Sequence, residues 1–238
     1  MEISTYVALS KQLELRGALD TVAHNMANAS TPGFRSKHLL FKEELMKAQG
    51  GRDIAMTVER GFVRSREPGP LTQTGNPLDL TLDGQGWFSV ETEQGIRYTR
   101  NGQFALDAAG RIVDQSGFPV LDANAQPITV PPEAQNLHIG ADGTVYVDGA
   151  AEGRLAISAF ERDADLLETG GGLHLALAEP VPDAASAVRQ GFTEGSNVQP
   201  VLQAVEMTRI VREYEAMQRA LDAAGELQRT AIQKIAGL

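Results

Sequence analysis

The chain contains no cysteine, which excludes disulfides, thiolate nucleophiles and thiolate metal sites. Aromatic residues are scarce, at 5% of 238 residues, with Trp87 the single tryptophan. Positive charge is in deficit: 21 Lys and Arg face 31 Asp and Glu, a formal net charge of -10. Nucleic-acid binding needs Lys and Arg clustered against phosphates. No such cluster interleaved with aromatics occurs, and adhesion to an anionic membrane is disfavoured for the same reason. No run approaches the roughly 18 apolar residues of a membrane span. Residues 1–7 lack the basic and apolar regions of a secretory signal. The expectation is a soluble protein that, if it leaves the cytoplasm, does so without a cleaved signal peptide.

Constellations that carry chemistry are also missing. His24, His38, His138 and His174 have neither ligand spacing nor acidic neighbours in sequence. Gly84-Gln85-Gly86 lacks the third glycine of a dinucleotide fingerprint and reads as a hairpin turn. Gly170-Gly171-Gly172 lacks the Lys-Ser or Lys-Thr of a phosphate loop. Asp79 and Asp83 fall on one face of a strand, and paired carboxylates can hydrolyse glycosides. Solvent-facing and turn-forming roles account for them equally well. Trp87 beside Phe88 reads as core. Together Asp79, Asp83 and Trp87 support an alternative from another class, a periplasmic glycan-binding or hydrolase domain. The leading expectation is a structural or interaction protein: no catalytic residue, cofactor, metal or small-molecule substrate.

What the chain does contain is unevenly distributed. All eleven prolines lie between Pro32 and Pro200, and the flanks hold only Gly17, Gly225 and Gly237 among the glycines. Proline breaks helix interiors and glycine weakens them, so helical ends enclose a turn-rich middle. Met207, Ile210, Tyr214, Met217, Leu221, Ala224, Ala231, Ile235 and Leu238 follow an alternating three-and-four spacing that misses once, at Gln228. This is a heptad seam. Leu15, Leu19, Val22 and Met26 repeat the spacing, with Ala8 one heptad before Leu15. Two readings are open: the helices join other copies or partners, or they close one globular domain. The first helix is expected to end near Asn28, before a turn at Ser30–Gly33. The last is expected to start after Ser196-Asn197 with Pro200 in its first turn. Leu39 to Gln49 predicts a short helical piece before Gly50-Gly51, and Thr57 to Gly75 an extended loop.

From Pro77 the period becomes two. Leu78, Leu80 and Leu82 alternate with Asp79, Thr81 and Asp83, which predicts a half-buried strand. Short strand-like runs follow, separated by Asp83-Gly84, Asn101-Gly102, Ala109-Gly110, Ser116-Gly117 and Asp142-Gly143. Asn-Gly and Asp-Gly suit hairpin turns, whose central residues need positive φ. The pattern predicts an antiparallel sandwich or barrel-like domain.

Three stretches together resemble the flagellar rod and hook family. The first is Asp20-Thr-Val-Ala-His-Asn-Met-Ala-Asn-Ala-Ser-Thr-Pro-Gly-Phe34. The second is Gly75-Asn-Pro-Leu-Asp-Leu-Thr-Leu-Asp-Gly-Gln-Gly-Trp-Phe88, continued by Tyr98-Thr-Arg-Asn-Gly-Gln-Phe104. The third is Glu194-Gly-Ser-Asn-Val198, followed by Glu206-Met207 and the seam. His24 departs from the Asn usual in the family. Tyr6–Ser10, the modest length and the position of Trp87 point to the proximal-rod branch; distal-rod and hook-type members are the alternatives. The resemblance implies a structural subunit of the torque-transmitting rod, exported unfolded through the flagellar type III apparatus. It implies placement in the basal body within the periplasmic space, with other rod subunits and copies of itself as partners.

The expected fold is α+β: long N- and C-terminal helices pair as a coiled coil, with an inserted mainly antiparallel β domain. The expected domains are 1–35 with 198–238 (helical assembly), 36–75 (extended connector), 76–187 (β domain) and 188–197 (return linker). The expected assembly interface is Leu15, Leu19, Val22, Met26, Met207, Ile210, Tyr214, Met217, Leu221 and Ala224. The expected motif residues are Asn25, Asn28, Pro32, Gly33, Phe34, Asn76, Pro77, Leu78, Asp79, Arg100, Asn101, Gly102, Ser196, Asn197 and Val198.

Overall fold

A computed structural model describes the backbone of residues 2–47, 53–183 and 185–237, and their side chains except at 2–7, 43–47, 53–59, 163, 228, 232, 235 and 236. The expected Gly50-Gly51 turn and Leu238 lie outside the described residues, as do the side chains of Gln228 and Ile235. The chain forms two compact units. Unit 1 comprises residues 1–27, 37–63 and 199–238; unit 2 comprises 28–36 and 64–198. The chain therefore passes from one to the other after Ala27, Ser36, Val63 and Val198.

Unit 1 contains helix α1 (Glu2–Ala27), the paired strands Lys37–Lys47 and Asp53–Arg64, of which Arg64 belongs to unit 2, and helix α2 (Pro200–Ala236). Pro200 opens α2, where a missing N–H leaves no bond unmade. Among the described residues the helices share a small hydrophobic cluster: Leu15, Val22 and Ile210 are buried, with Ala18, Leu19, Met207 and Tyr214 packed against them. Burying each large apolar side chain contributes about 1.5–3 kcal/mol. Gln12 Nε2 donates to Gln218 Oε1 at 2.6 Å, a polar contact between the same two helices. Asn25, also buried, accepts from Lys37 N at 2.8 Å and donates to Lys37 O at 2.9 Å, fastening α1 to the first strand.

Unit 2 is built on antiparallel pairings. Its largest sheet runs, edge to edge, Leu166–Gly170, Leu173–Ala176, Gly95–Thr99, Trp87–Thr92, Ile157–Ala159 and Val181–Pro182. A three-stranded sheet joins Ala150–Arg154, Thr144–Val147 and Leu137–Ile139. Thr144–Val147 alternates half-exposed and buried positions, as a strand with one face on the core should. The main core includes Leu80, Phe88, Val90, Ile112, Val120 and Val145, with Phe88 and Phe104 edge-on at 5.2 Å. A second cluster gathers Trp87, Tyr98 and Leu166.

Several expectations are corrected. The fold is not α+β with long terminal helices paired as a coiled coil. Among the described residues there are seventeen strands and two α-helices, so the chain is mainly β, and the N-terminal helix, at 26 residues against 37, is the shorter. A coiled coil needs apolar knobs sustained on both helices. Here the run Leu15-Leu19-Val22 is followed by the polar Asn25, while Met26 and, past Tyr214, Ala224 and Leu227 are exposed. The helical piece expected over Leu39–Gln49 is strand as far as Lys47, because pairing with Asp53–Arg64 overrides the local spacing. The strand Leu80–Asp83 is buried at Leu80, Thr81 and Leu82, not on alternate residues. Gly84-Gln85-Gly86 is no hairpin: the strand before it pairs with Ala187–Gln190 and the strand after it with Gly95–Thr99. Asn101-Gly102 is no positive-φ turn either. Gly102 is required by close approach, since a Cβ there would lie 1.7 Å from Leu80 O.

Candidate functional site

The part of the first motif stretch from Asn28 to Phe34, the second stretch and Glu194–Val198 of the third converge inside unit 2. The first leaves its helix through a turn in which Thr31 N donates to Asn28 O at 3.1 Å and Phe34 N to Thr31 O at 3.2 Å. Pro32 precedes Gly33, whose φ of +68° favours glycine. A Cβ at Gly33 would stand 2.5 Å from the carbonyl carbon of Arg100, so the first motif lies directly on the second. Gly33 N donates to Glu194 O at 2.8 Å, which brings in the third.

A buried charge cluster forms where they meet. Arg35 Nη2 lies 3.4 Å from Glu194 Oε1, and Arg100 Nη1 lies 3.7 Å from Glu194 Oε2; all three side chains are buried. Gly69 N donates to Glu194 Oε1 at 3.2 Å. Arg100 also donates to Leu82 O at 3.3 Å and Gly84 O at 2.5 Å, and its guanidinium lies 5.7 Å from the Trp87 ring centre. Burial, and then the neighbouring charge of Arg35, pulls the Arg100 pKa down to about 9 against the opposing pull of Glu194 and Asp183. One carboxylate is shared by two guanidiniums, and the cost of burying these charges is offset only through fixed geometry and the added hydrogen bonds to Gly69, Leu82 and Gly84.

Asn197 completes the cluster. Its Oδ1 accepts from Ser36 N at 2.7 Å, its Nδ2 donates to Glu67 O at 2.9 Å and its own N donates to Phe34 O at 3.2 Å. Ser65 N donates to Ser36 O at 2.8 Å, and Val198 N to Ser196 Oγ at 3.2 Å. The segments of unit 2 beside each chain passage are thus bonded to one another.

The other motif residues play separate local roles. Asn76 Nδ2 donates to Asp79 Oδ1 at 3.2 Å, Leu78 N donates to Asn76 Oδ1 at 3.2 Å, and Pro77 O accepts from Gln190 Nε2 at 2.9 Å. Asn101 Oδ1 accepts from Gln103 N at 3.1 Å. Asp79 is buried and held by Asn76, whereas Asp83 is exposed and paired with Arg189. The two carboxylates therefore do not form the shared pair that hydrolysis needs. Trp87 packs edge-on against His174 at 4.7 Å. Among the described residues, no group of three or more His, Asp or Glu side chains converges as a metal site would require.

In unit 1, Leu15, Val22 and Ile210 are buried, and Leu19, Met207 and Tyr214 pack partly against them. Met217 and Leu221 are half-buried, and Met26 and Ala224 are exposed. Sequence reasoning missed Arg35 and the ionic role of Glu194. The available signal was their position: Arg35 directly follows Pro-Gly-Phe, and Glu194 opens the third motif.

Residues 81–147 match the family model described as flagellar hook protein FlgE/F/G D1 domain, and residues 189–234 match flagellar basal body rod FlgEFG protein C-terminal. The flagellar basal-body rod protein FlgF of Caulobacter vibrioides is 35% identical over 99% of this chain and 98% of its own length. FlgF of Mesorhizobium japonicum is 35% identical over 96% of this chain and 93% of its own. FlgG of Bacillus subtilis is 28% identical over 94% and 96%.

Proposed function

The chain belongs to the flagellar basal-body rod protein family and is a structural subunit of that rod; from this premise we propose how its two units divide the work. Family membership places it in the basal body and implies assembly with other rod or hook subunits. We infer that unit 1 is the assembly domain. The observation that carries this reading is apolar surface that the unit's own packing leaves uncovered: Leu9, Leu13, Val201, Leu202, Val205 and Leu227 are exposed, the last at 73%.

In this reading Leu15, Leu19, Val22, Met207, Ile210 and Tyr214 hold α1 and α2 together within a subunit. Met26, Met217, Leu221 and Ala224 join the uncovered residues in contacts with neighbouring subunits, including copies of itself. At about 1.5–3 kcal/mol per large buried side chain, a handful of contacts drives association. Head-to-tail contacts that do not close give a helical shaft. Unit 2, locked by its buried charge cluster, is the rigid body each subunit contributes. The subunit belongs to the proximal rod, a reading supported by higher identity to the first FlgF relatives than to FlgG. It reaches the periplasmic space unfolded through the type III apparatus and performs no catalytic step.

Met217→Glu and Leu227→Glu test the assignment. Both are expected to abolish rod assembly and swimming while Trp87 fluorescence reports an unchanged unit 2. Normal motility in both variants would sink the interface.

A further inference from the structure

We propose that unit 2 carries an anion site for an aliphatic carboxylate, in a cleft of about 130 Å³ lined by Arg35, Arg64, Arg66, Trp87, Phe160 and Glu161. In a chain of net charge -10, three arginines and one glutamate around one small cleft run against the overall balance. Two of the guanidiniums are already fixed. Arg35 is 6% exposed and donates through Nη1 to Arg66 O and to Gln85 Oε1, both at 3.2 Å. Arg64 is 4% exposed and donates to Leu166 O at 3.0 Å. Donors ordered in advance lower the entropic cost of binding.

Arg35 shares the carboxylate of Glu194 with Arg100, at distances of 3.4 and 3.7 Å. These are longer than the roughly 2.7–2.9 Å of a strong charge-assisted bond. Among the described residues, the buried Arg35 Nε has no hydrogen-bond partner. A guanidinium fork matches a planar carboxylate, while Trp87 and Phe160 offer apolar surface for an attached methylene chain. The acidic Glu161 opposes a doubly charged phosphate more than a single carboxylate. Two sources supply this chemistry: a free short-chain carboxylate, or an Asp or Glu side chain of a second copy.

The test is butyrate titrated into the full chain at constant ionic strength, with chloride and butylammonium as controls. Trp87 is the sole tryptophan and lines the cleft, so its fluorescence is the readout. A saturable change in the millimolar range is expected with butyrate alone. Arg66→Gln removes an exposed guanidinium but keeps the carbonyl that Arg35 and Gln85 use, and is expected to weaken binding about tenfold. Glu161→Gln is expected to strengthen it. No response to butyrate, an equal response to chloride, or unchanged affinity in Arg66→Gln would overturn the site. Sedimentation separates the sources. If butyrate dissociates self-associated copies, the occupant is an acidic side chain; if the protein is monomeric throughout and binds butyrate, it is a free carboxylate.

Discussion

Replacing Glu194 by alanine isolates the energetics of the buried cluster. The carboxylate is 1% exposed and faces guanidiniums that are 5% and 1% exposed, so solvent screens none of the three. Removing it strands two cations in a water-poor site and leaves Gly69 N without its acceptor. Breaking a buried ion pair by deleting one partner costs about 3–5 kcal/mol. For a domain whose total stability is about 5–15 kcal/mol, that is a large fraction. Glu194→Gln keeps an oxygen for Gly69 N and removes only the charge, so its cost should fall to about 1–3 kcal/mol. Denaturant unfolding followed by Trp87 fluorescence reads both, because Trp87 is buried in unit 2. An alanine cost under about 1 kcal/mol, or a glutamine variant as stable as the parent, would refute the claim that this charge holds the cluster.

Other outcomes follow from single contacts. Gly33→Ala combines positive φ with a Cβ 2.5 Å from the Arg100 carbonyl carbon and should cost about 3 kcal/mol or more, read as a fall in Tm. Gly117→Ala, with positive φ but open space around it, should cost only about 1–2 kcal/mol, and an equal loss at both sites would exclude the steric account. Asn25→Ala removes both bonds to Lys37 and should cost about 2–3 kcal/mol, with faster amide exchange at Lys37. For Asp183, burial raises the carboxyl pKa, but the Ser186 hydroxyl and the N–H groups of Ala185 and Ser186 outweigh it and leave it lowered. A lowered folded-state pKa means its stabilisation is complete above about pH 4 and is lost as pH falls through the folded value. Asp183→Asn should therefore flatten the acid limb of the stability curve, and an unchanged limb would remove Asp183 from the account.

Some of this architecture is readable along the chain. The alternation at Thr144–Val147, the opening of α2 at Pro200 and the glycine of Pro-Gly-Phe each follow from rules acting over a few residues. What is unreadable depends on distant partners. Leu39-Leu40-Phe41 followed by Lys-Glu-Glu suits a helix until Asp53–Arg64 pairs with it. The seam spacing on α2 says nothing about how far α1 matches it, and the match ends near Asn25. Three motifs are recognisable singly, but no local rule announces that Gly33 rests on Arg100 or that Glu194 sits between two arginines.

The closure of that cluster also sets a timetable. Arg35 and Glu194 are 159 positions apart, and Ser36 and Asn197 are 161 apart. Contacts of such long separation form only after a large loop has closed, which makes them slow. A chain emerging from a narrow opening, whichever end leads, presents one half of each pairing long before the other. The leading portion of unit 2 must wait, its arginines or its glutamate uncompensated, until nearly the whole chain has followed. Completion is therefore a late, collective event, and the rigid body appears only once its last strand arrives.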